Sequence, residues 1–93
     1  MDSFNWSKEK NNWLMRHRGV CFEYVITALS MDRVLFDVKH PNEERYPGQR
    51  ILCVDINGYA YICPYIVDKD GAKFLKTLFP SRKHTKQFLT EKS

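Results

Sequence analysis

The chain has no long apolar run, only four prolines and four glycines, and three cysteines among its 93 residues. No stretch approaches the ~20 consecutive apolar residues that a membrane-spanning helix requires, so no membrane span is expected. The opening Met1-Asp2-Ser3-Phe4-Asn5-Trp6 lacks the basic-then-apolar order of a secretory signal, and the expected location is the cytoplasm. Cys21, Cys53 and Cys63 are odd in number, far apart and without a CxxC pair. That excludes a disulfide framework and a zinc site of the usual spacing. Each lies among apolar or aromatic neighbours and reads as a buried thiol. No His/Asn constellation can be tied to any of them, so a catalytic cysteine is not expected. The GxxxxGK(S/T) phosphate loop, the GxSxG elbow and HExxH are all missing. The acidic residues show no metal-ligand pattern, and neither a metal nor a cofactor is expected. There are no internal repeats and no low-complexity segment.

What is present suffices for one domain, residues 1–93. A hydrophobic content of 43% and an aromatic content of 14% argue for a packed core and against disorder. The net charge of +4 is unevenly spread. Residues 69–93 carry seven Lys/Arg against two Asp/Glu, a net +5, whereas residues 1–68 carry eight against nine, a net −1. Much of the excess lies in Phe79-Pro80-Ser81-Arg82-Lys83-His84-Thr85-Lys86. A near-neutral body with a basic C-terminal third points to a polyanion, nucleic acid foremost. A solvated basic tail is the plain alternative.

The patterning predicts an α+β domain: an N-terminal αα-hairpin, an antiparallel meander of about four strands, and a short C-terminal helix. Asn5 or Ser7 can cap a first helix, and Trp6, Lys10, Trp13, Leu14 and His17 fall along one stripe. Gly19 suits its end. Phe22, Val25, Ile26 and Leu29 give a second helix, from about Phe22 to Leu29, an apolar face. Val34 to Lys39 reads as a strand, and His40 to Gly48 as a polar loop. Asn57-Gly58 between Arg50–Ile56 and Tyr59–Val67 is the signature of a type I′ hairpin, because both turn positions need φ > 0. Ala72 to Phe79 reads as the last strand, ended by Pro80. Ser81 then caps a helix through about Leu89. All helices are expected on one side of the sheet.

A two-residue turn sets the hairpin register and pairs Arg50 with Tyr65 on one face. With a four-residue loop at Asp68–Gly71, Phe74 and Lys76 join that face; a one-residue slip would send Lys76 to the other side. A possible cluster follows: Arg50, Tyr65 and Lys76, with Arg82 and Lys83 where strand gives way to helix. Guanidinium groups bind phosphate oxygens bidentately, ammonium groups supply point charge, and a tyrosine ring can stack on a base. Each residue also has a plain reading. Arg50 can pair with an acidic neighbour, Tyr65 can be a core residue with a solvated hydroxyl, and Lys76 can be a solvated outward position.

The residues also resemble a known family. Phe4-Asn5-Trp6 with Lys8, Lys10 and Asn11/Asn12, then His17-Arg18-Gly19-Val20-Cys21-Phe22-Glu23, resembles the opening of BrnT-like toxins. Gln49-Arg50, Asn57-Gly58 and Leu75-Lys76-Thr77-Leu78-Phe79-Pro80-Ser81-Arg82-Lys83-His84-Thr85 resemble that family's later strand start, turn and closing R-I-I-S-A-R-K-A-T. The ordered set covers nearly the whole chain. The resemblance implies a RelE-like fold and the toxin of a type II toxin–antitoxin pair, a metal-independent endoribonuclease that cleaves mRNA, free or on the ribosome, and inhibits translation. It implies a cognate antitoxin of ribbon-helix-helix type as partner, and operator DNA contact only through that complex. By position it assigns Arg50, Lys76 and Arg82 to catalysis. Tyr65, Lys83, His84 and Lys86 are the RNA-binding candidates. Gln49 stands where the family often has Glu, which removes the expected carboxylate base. The reaction would be attack of a 2′-OH on its adjacent phosphate, with cations stabilising the phosphorane. The main rival reading is a non-enzymatic nucleic-acid-binding module using the same basic face, and a third is an inert α+β interaction domain whose basic tail binds only an acidic partner protein.

Overall fold

The computed structural model describes residues 3–89. Within them lie three helices and a mixed sheet of six strands. The chain runs β1 (Phe4–Trp6), α1 (Lys8–Arg18), α2 (Phe22–Ser30), β2 (Val34–Lys39), β3 (Gln49–Ile56), β4 (Tyr59–Val67), β5 (Lys73–Leu75), β6 (Phe79–Pro80) and α3 (Arg82–Phe88). The sheet order is β1-β5-β4-β3-β2, with β6 also paired to β4.

Local chemistry sets several boundaries. Ser7 Oγ accepts the Lys10 N–H at 3.1 Å and starts α1. Gly19 ends it at φ 70°, a left-handed conformation that costs glycine little. The first turn of α2 has no cap from its own N-cap residue, Cys21. Asn11 of α1 supplies one instead: its Oδ1 accepts the Phe22 N–H at 2.7 Å, and its Nδ2 donates to Glu23 at 2.8 Å. The turn at Asn57-Gly58 has φ 54° and 83°, and the β3–β4 register pairs Ile56 with Tyr59, Leu52 with Cys63 and Arg50 with Tyr65.

The expected all-antiparallel meander of about four strands is corrected in three ways. First, Phe4–Trp6 is a strand, parallel to β5, rather than the head of a helical stripe. Its alternation sends Phe4 and Trp6 toward the core, where Trp6 meets Phe22 at 5.6 Å between ring centroids. Second, Ala72 to Phe79 is not one strand. Leu75 and Leu78 are both buried in the same core, and no continuous strand puts residues three apart on one face. The chain breaks between them, and the pairing with β4 shifts from Tyr65↔Leu75 to Ile62↔Phe79. Pro80 therefore lies within β6 instead of ending a strand. Such a place suits proline on a short edge segment. Third, the helices do not share one side. Leu14, Phe22, Val25 and Ala28 pack with Leu52, Val54, Cys63 and Tyr65 on one face. Phe36 and Leu89, the residue after α3, pack with Cys53, Ala60 and Ile62 on the other. The alternation of β3 and β4 separates these two sets.

Candidate functional site

Three neighbouring strands bring Asp37, Arg50 and Tyr65 to one face. Lys39 of β2 pairs with Arg50 of β3, which pairs with Tyr65 of β4, and Asp37 lies two residues from Lys39. The Arg50 guanidinium donates from Nε to Asp37 Oδ1 at 3.1 Å and from Nη2 to the Asp37 carbonyl at 3.1 Å. The same Nε reaches Tyr65 Oη at 3.1 Å. The Tyr65 hydroxyl donates to the Asp37 carboxylate, with Oδ1 at 2.7 Å and Oδ2 at 2.8 Å. Burial first, then the bond to Asp37, pushes the Tyr65 hydroxyl up to about 12, so it remains a donor at neutral pH. The bonds to Tyr65 and then Asp37 raise the Arg50 pKa further above its already high value. The plain alternative for Arg50, an acidic partner, is thus realised. Tyr65 is only 2% exposed, so its ring is committed to the core and is not available to stack on a base.

Beside this trio lies a cleft of about 240 Å³ lined by Phe4, Leu29, Asp37, Leu52, Tyr65 and Lys73. Lys73 stands 5.5 Å from the Phe4 ring centroid. The cleft thus joins a carboxylate, an ammonium, a phenol and an aromatic ring. A second recess, about 410 Å³, is lined by Lys39, Glu43, Pro47, Gly48, Gln49, Arg50 and Val67.

Lys73, not Lys76, is the lysine that this part of the chain brings to the face of Arg50 and Tyr65. Tyr65 pairs with Leu75 and Val67 with Lys73, one residue out of step with the expected register. Asp68 causes the slip. Its Oδ1 accepts the N–H groups of Asp70 at 2.9 Å and Ala72 at 3.0 Å, drawing Ala72 into the loop. Phe74 then falls on the opposite face with Ile66, and the Lys76 N–H bonds the Pro64 carbonyl at 2.9 Å. Lys76 is exposed and away from Arg50 and Tyr65.

Arg82, Lys83, His84 and Lys86 also lie elsewhere. The Ser81 N–H bonds the Ala60 carbonyl at 2.9 Å, and Thr85 Oγ1 accepts the Ala60 N–H at 2.8 Å. That seats α3 five residues along β4 from Tyr65, about 17 Å, and on the other face. A single phosphate cannot sit between Arg50 and Arg82 there. Arg82, Lys83 and Lys86 are exposed, whereas His84 is half-buried. Ser81 Oγ accepts the His84 N–H at 3.2 Å and meets His84 Nδ1 at 2.7 Å, while the imidazole packs on Phe36. His84 is thus part of the helix cap.

All three cysteines are free and buried. Burial raises Cys53 to about 11 and Cys63 to about 12, and it also raises Cys21, so these are protonated thiols at neutral pH. Among the described residues no group of three or more His, Cys, Asp or Glu is placed to hold a metal ion. None of their helices is long and apolar enough to cross a membrane. Sequence reasoning missed Asp37 and Lys73. A lone acid inside the apolar strand Val34–Lys39 was the available signal for the first; nothing local marked the second. No family model matches the chain, and no curated protein is significantly similar to it.

Proposed function

We propose that this chain is the toxin of a type II toxin–antitoxin pair, with a RelE-like fold, and cleaves mRNA without a metal. The observation that carries the reading is Asp37, held by Tyr65 and Arg50 at the rim of a cleft that Lys73 also lines. A carboxylate there can replace the Glu that Gln49 lacks. In this reading Asp37 takes the proton of a 2′-OH as O2′ bonds to phosphorus and the P–O5′ bond breaks. Arg50 stabilises charge on the phosphorane, and Lys73 supplies the second cation and a proton for O5′. Tyr65 positions Asp37. Lys76, Arg82, Lys83 and Lys86 are outside this centre and bind flanking phosphates or a partner.

The ordered resemblance to BrnT-like toxins supports the same reading. Its cognate antitoxin, of ribbon-helix-helix type, would be encoded by the adjacent gene. Induced expression of the chain alone should stop growth and lower translation, and co-expression of the neighbouring gene should restore both. Normal growth at confirmed soluble expression would overturn the toxin reading. A second reading, nucleic-acid binding without cleavage, is favoured by the exposed cations of α3, which lie apart from any carboxylate cleft. Steeply salt-dependent RNA binding with intact RNA recovered would select it.

A further inference from the structure

We propose that the sheet face beside α3 is a docking surface for an acidic, amphipathic helix of a partner protein. The helix α3 has only seven residues, and its neighbours on the sheet are Cys53, Ala60 and Ile62. Beyond them, Val38, Ile51, Pro64, Ile66 and Phe74 occupy one face across four strands. Val38 is 46% exposed and Phe74 42%, while Ile51, Pro64 and Ile66 between them are half-buried.

The dimensions admit one more helix. Three interstrand gaps give the row a width of about 14 Å, and Ile62 to Ile66 spans about 13 Å along β4. A helix with its side chains is about 10–12 Å across. A single helix laid next to α3 would therefore complete the layer, as two helices complete the opposite face.

Charge selects the occupant. Lys76 borders the row through its bond to Pro64. Arg82, Lys83 and Lys86 are exposed on α3, which contains no acid. Among the described residues no acid lies within ion-pair distance of these four cations. A second copy of this chain would bring the same cations against them, which disfavours self-association. Nucleic acid would meet the cations but gain little from an aliphatic row whose one aromatic ring is Phe74. A helix with an apolar stripe and flanking Glu or Asp satisfies both parts of the surface. The inference does not depend on catalysis.

The test uses the full chain and a helical peptide of about 14 residues, Leu along one face and Glu on the other, beside its twin with Lys for Glu. Amide shift mapping should place the Glu peptide on Val38, Ile66 and Phe74. The Lys twin should bind at least about tenfold more weakly. Phe74→Glu should abolish binding, and Val38→Glu should weaken it even if the first variant folds poorly. Equal binding of both peptides, or none, would overturn the proposal. So would shifts that map to the groove lined by Tyr24 and Met31 on the other face. Dimerisation that Phe74→Glu abolishes would assign the surface to a second copy. An RNA oligonucleotide shifting Val38, Ile66 and Phe74 while the Glu peptide does not would assign it to nucleic acid.

Discussion

The hydroxyl of Tyr65 serves the core and the candidate site at once. Its ring fills space among Leu52, Cys63 and Leu75, and its O–H holds the carboxylate of Asp37. This has a consequence at high pH. The folded pKa is raised to about 12 from an ordinary 10, so in that window the unfolded chain has lost the proton that the folded chain keeps. Stability contributed by the group is complete below pH 10 and falls as pH rises toward 12. Denaturant melts of wild type and Tyr65→Phe from pH 8 to 12 should show a shallower alkaline loss in the variant. Cys53 and Cys63, both raised by burial, leave a residual slope in either protein. At neutral pH Tyr65→Phe should cost about 1–3 kcal/mol, because Asp37 and Arg50 lose a partly buried partner. Identical alkaline profiles would mean that the hydroxyl is not bound to Asp37 in solution.

Among the elements, α2 is the clearest case of a helix started from elsewhere. Asn11 caps it from α1, so Asn11→Ala should lower stability by about 1–2 kcal/mol at neutral pH in a urea melt. The Asn11 bond holds Glu23 below its ordinary value of 4.5, and that benefit is present above this pH and lost as pH falls through the lowered value. The gap between wild type and Asn11→Ala should therefore narrow in acid. An unchanged gap at pH 3 would argue against the Glu23 contact. The loop after β4 offers a second check. Asp68→Ala should speed hydrogen exchange at Asp70 and Ala72, whose N–H groups its carboxylate accepts. Unchanged exchange would remove the cause given for the register of β5.

These elements also mark where the sequence could be read. Asn57-Gly58 is a local signal, so the hairpin and the facing of Arg50 and Tyr65 were legible from turn chemistry and parity alone. Ser7 and Ser81 were legible as caps for the same reason. β1 was not, because three residues in parallel pairing carry no period. The break between β5 and β6 was not, because it comes from two leucines competing for one core. Asp37 was marked only as a lone acid in an apolar strand, its place beside Arg50 stayed open because the 40–48 loop leaves the β2–β3 register free, and Lys73 was displaced by one Asp68 side chain. Propensity and period report on neighbours in sequence, and the rest of the site is set by neighbours across strands.

For the molecule as a whole, the candidate site and the proposed docking surface lie on opposite faces of one sheet. One carries the carboxylate cleft at the end far from the Asn57-Gly58 turn. The other carries α3, its exposed cations and a partly exposed apolar row. The exposed cations of α3 belong to the second surface and the proposed chemistry to the first. Substitutions should separate accordingly: Arg82→Ala with Lys83→Ala should weaken RNA or partner binding and flatten its salt dependence, with the rate of any bound-state cleavage little changed. Asp37→Asn should leave binding and its salt dependence unchanged and slow cleavage.

Whether Asp37 is the base of a metal-independent cleavage is decided by cutting a short RNA with the purified protein in EDTA, wild type beside Asp37→Asn. The assay should be run with and without ribosomes, and beside the same RNA carrying 2′-deoxy sugar at the cut. Wild type should leave a 2′,3′-cyclic phosphate, and the deoxy substrate should resist. Asp37→Asn should bind RNA as well as wild type yet cut about 10²–10⁴-fold more slowly, the usual loss of a general base. No cleavage by wild type, equal cutting of the deoxy RNA, or full activity in Asp37→Asn would contradict this mechanism.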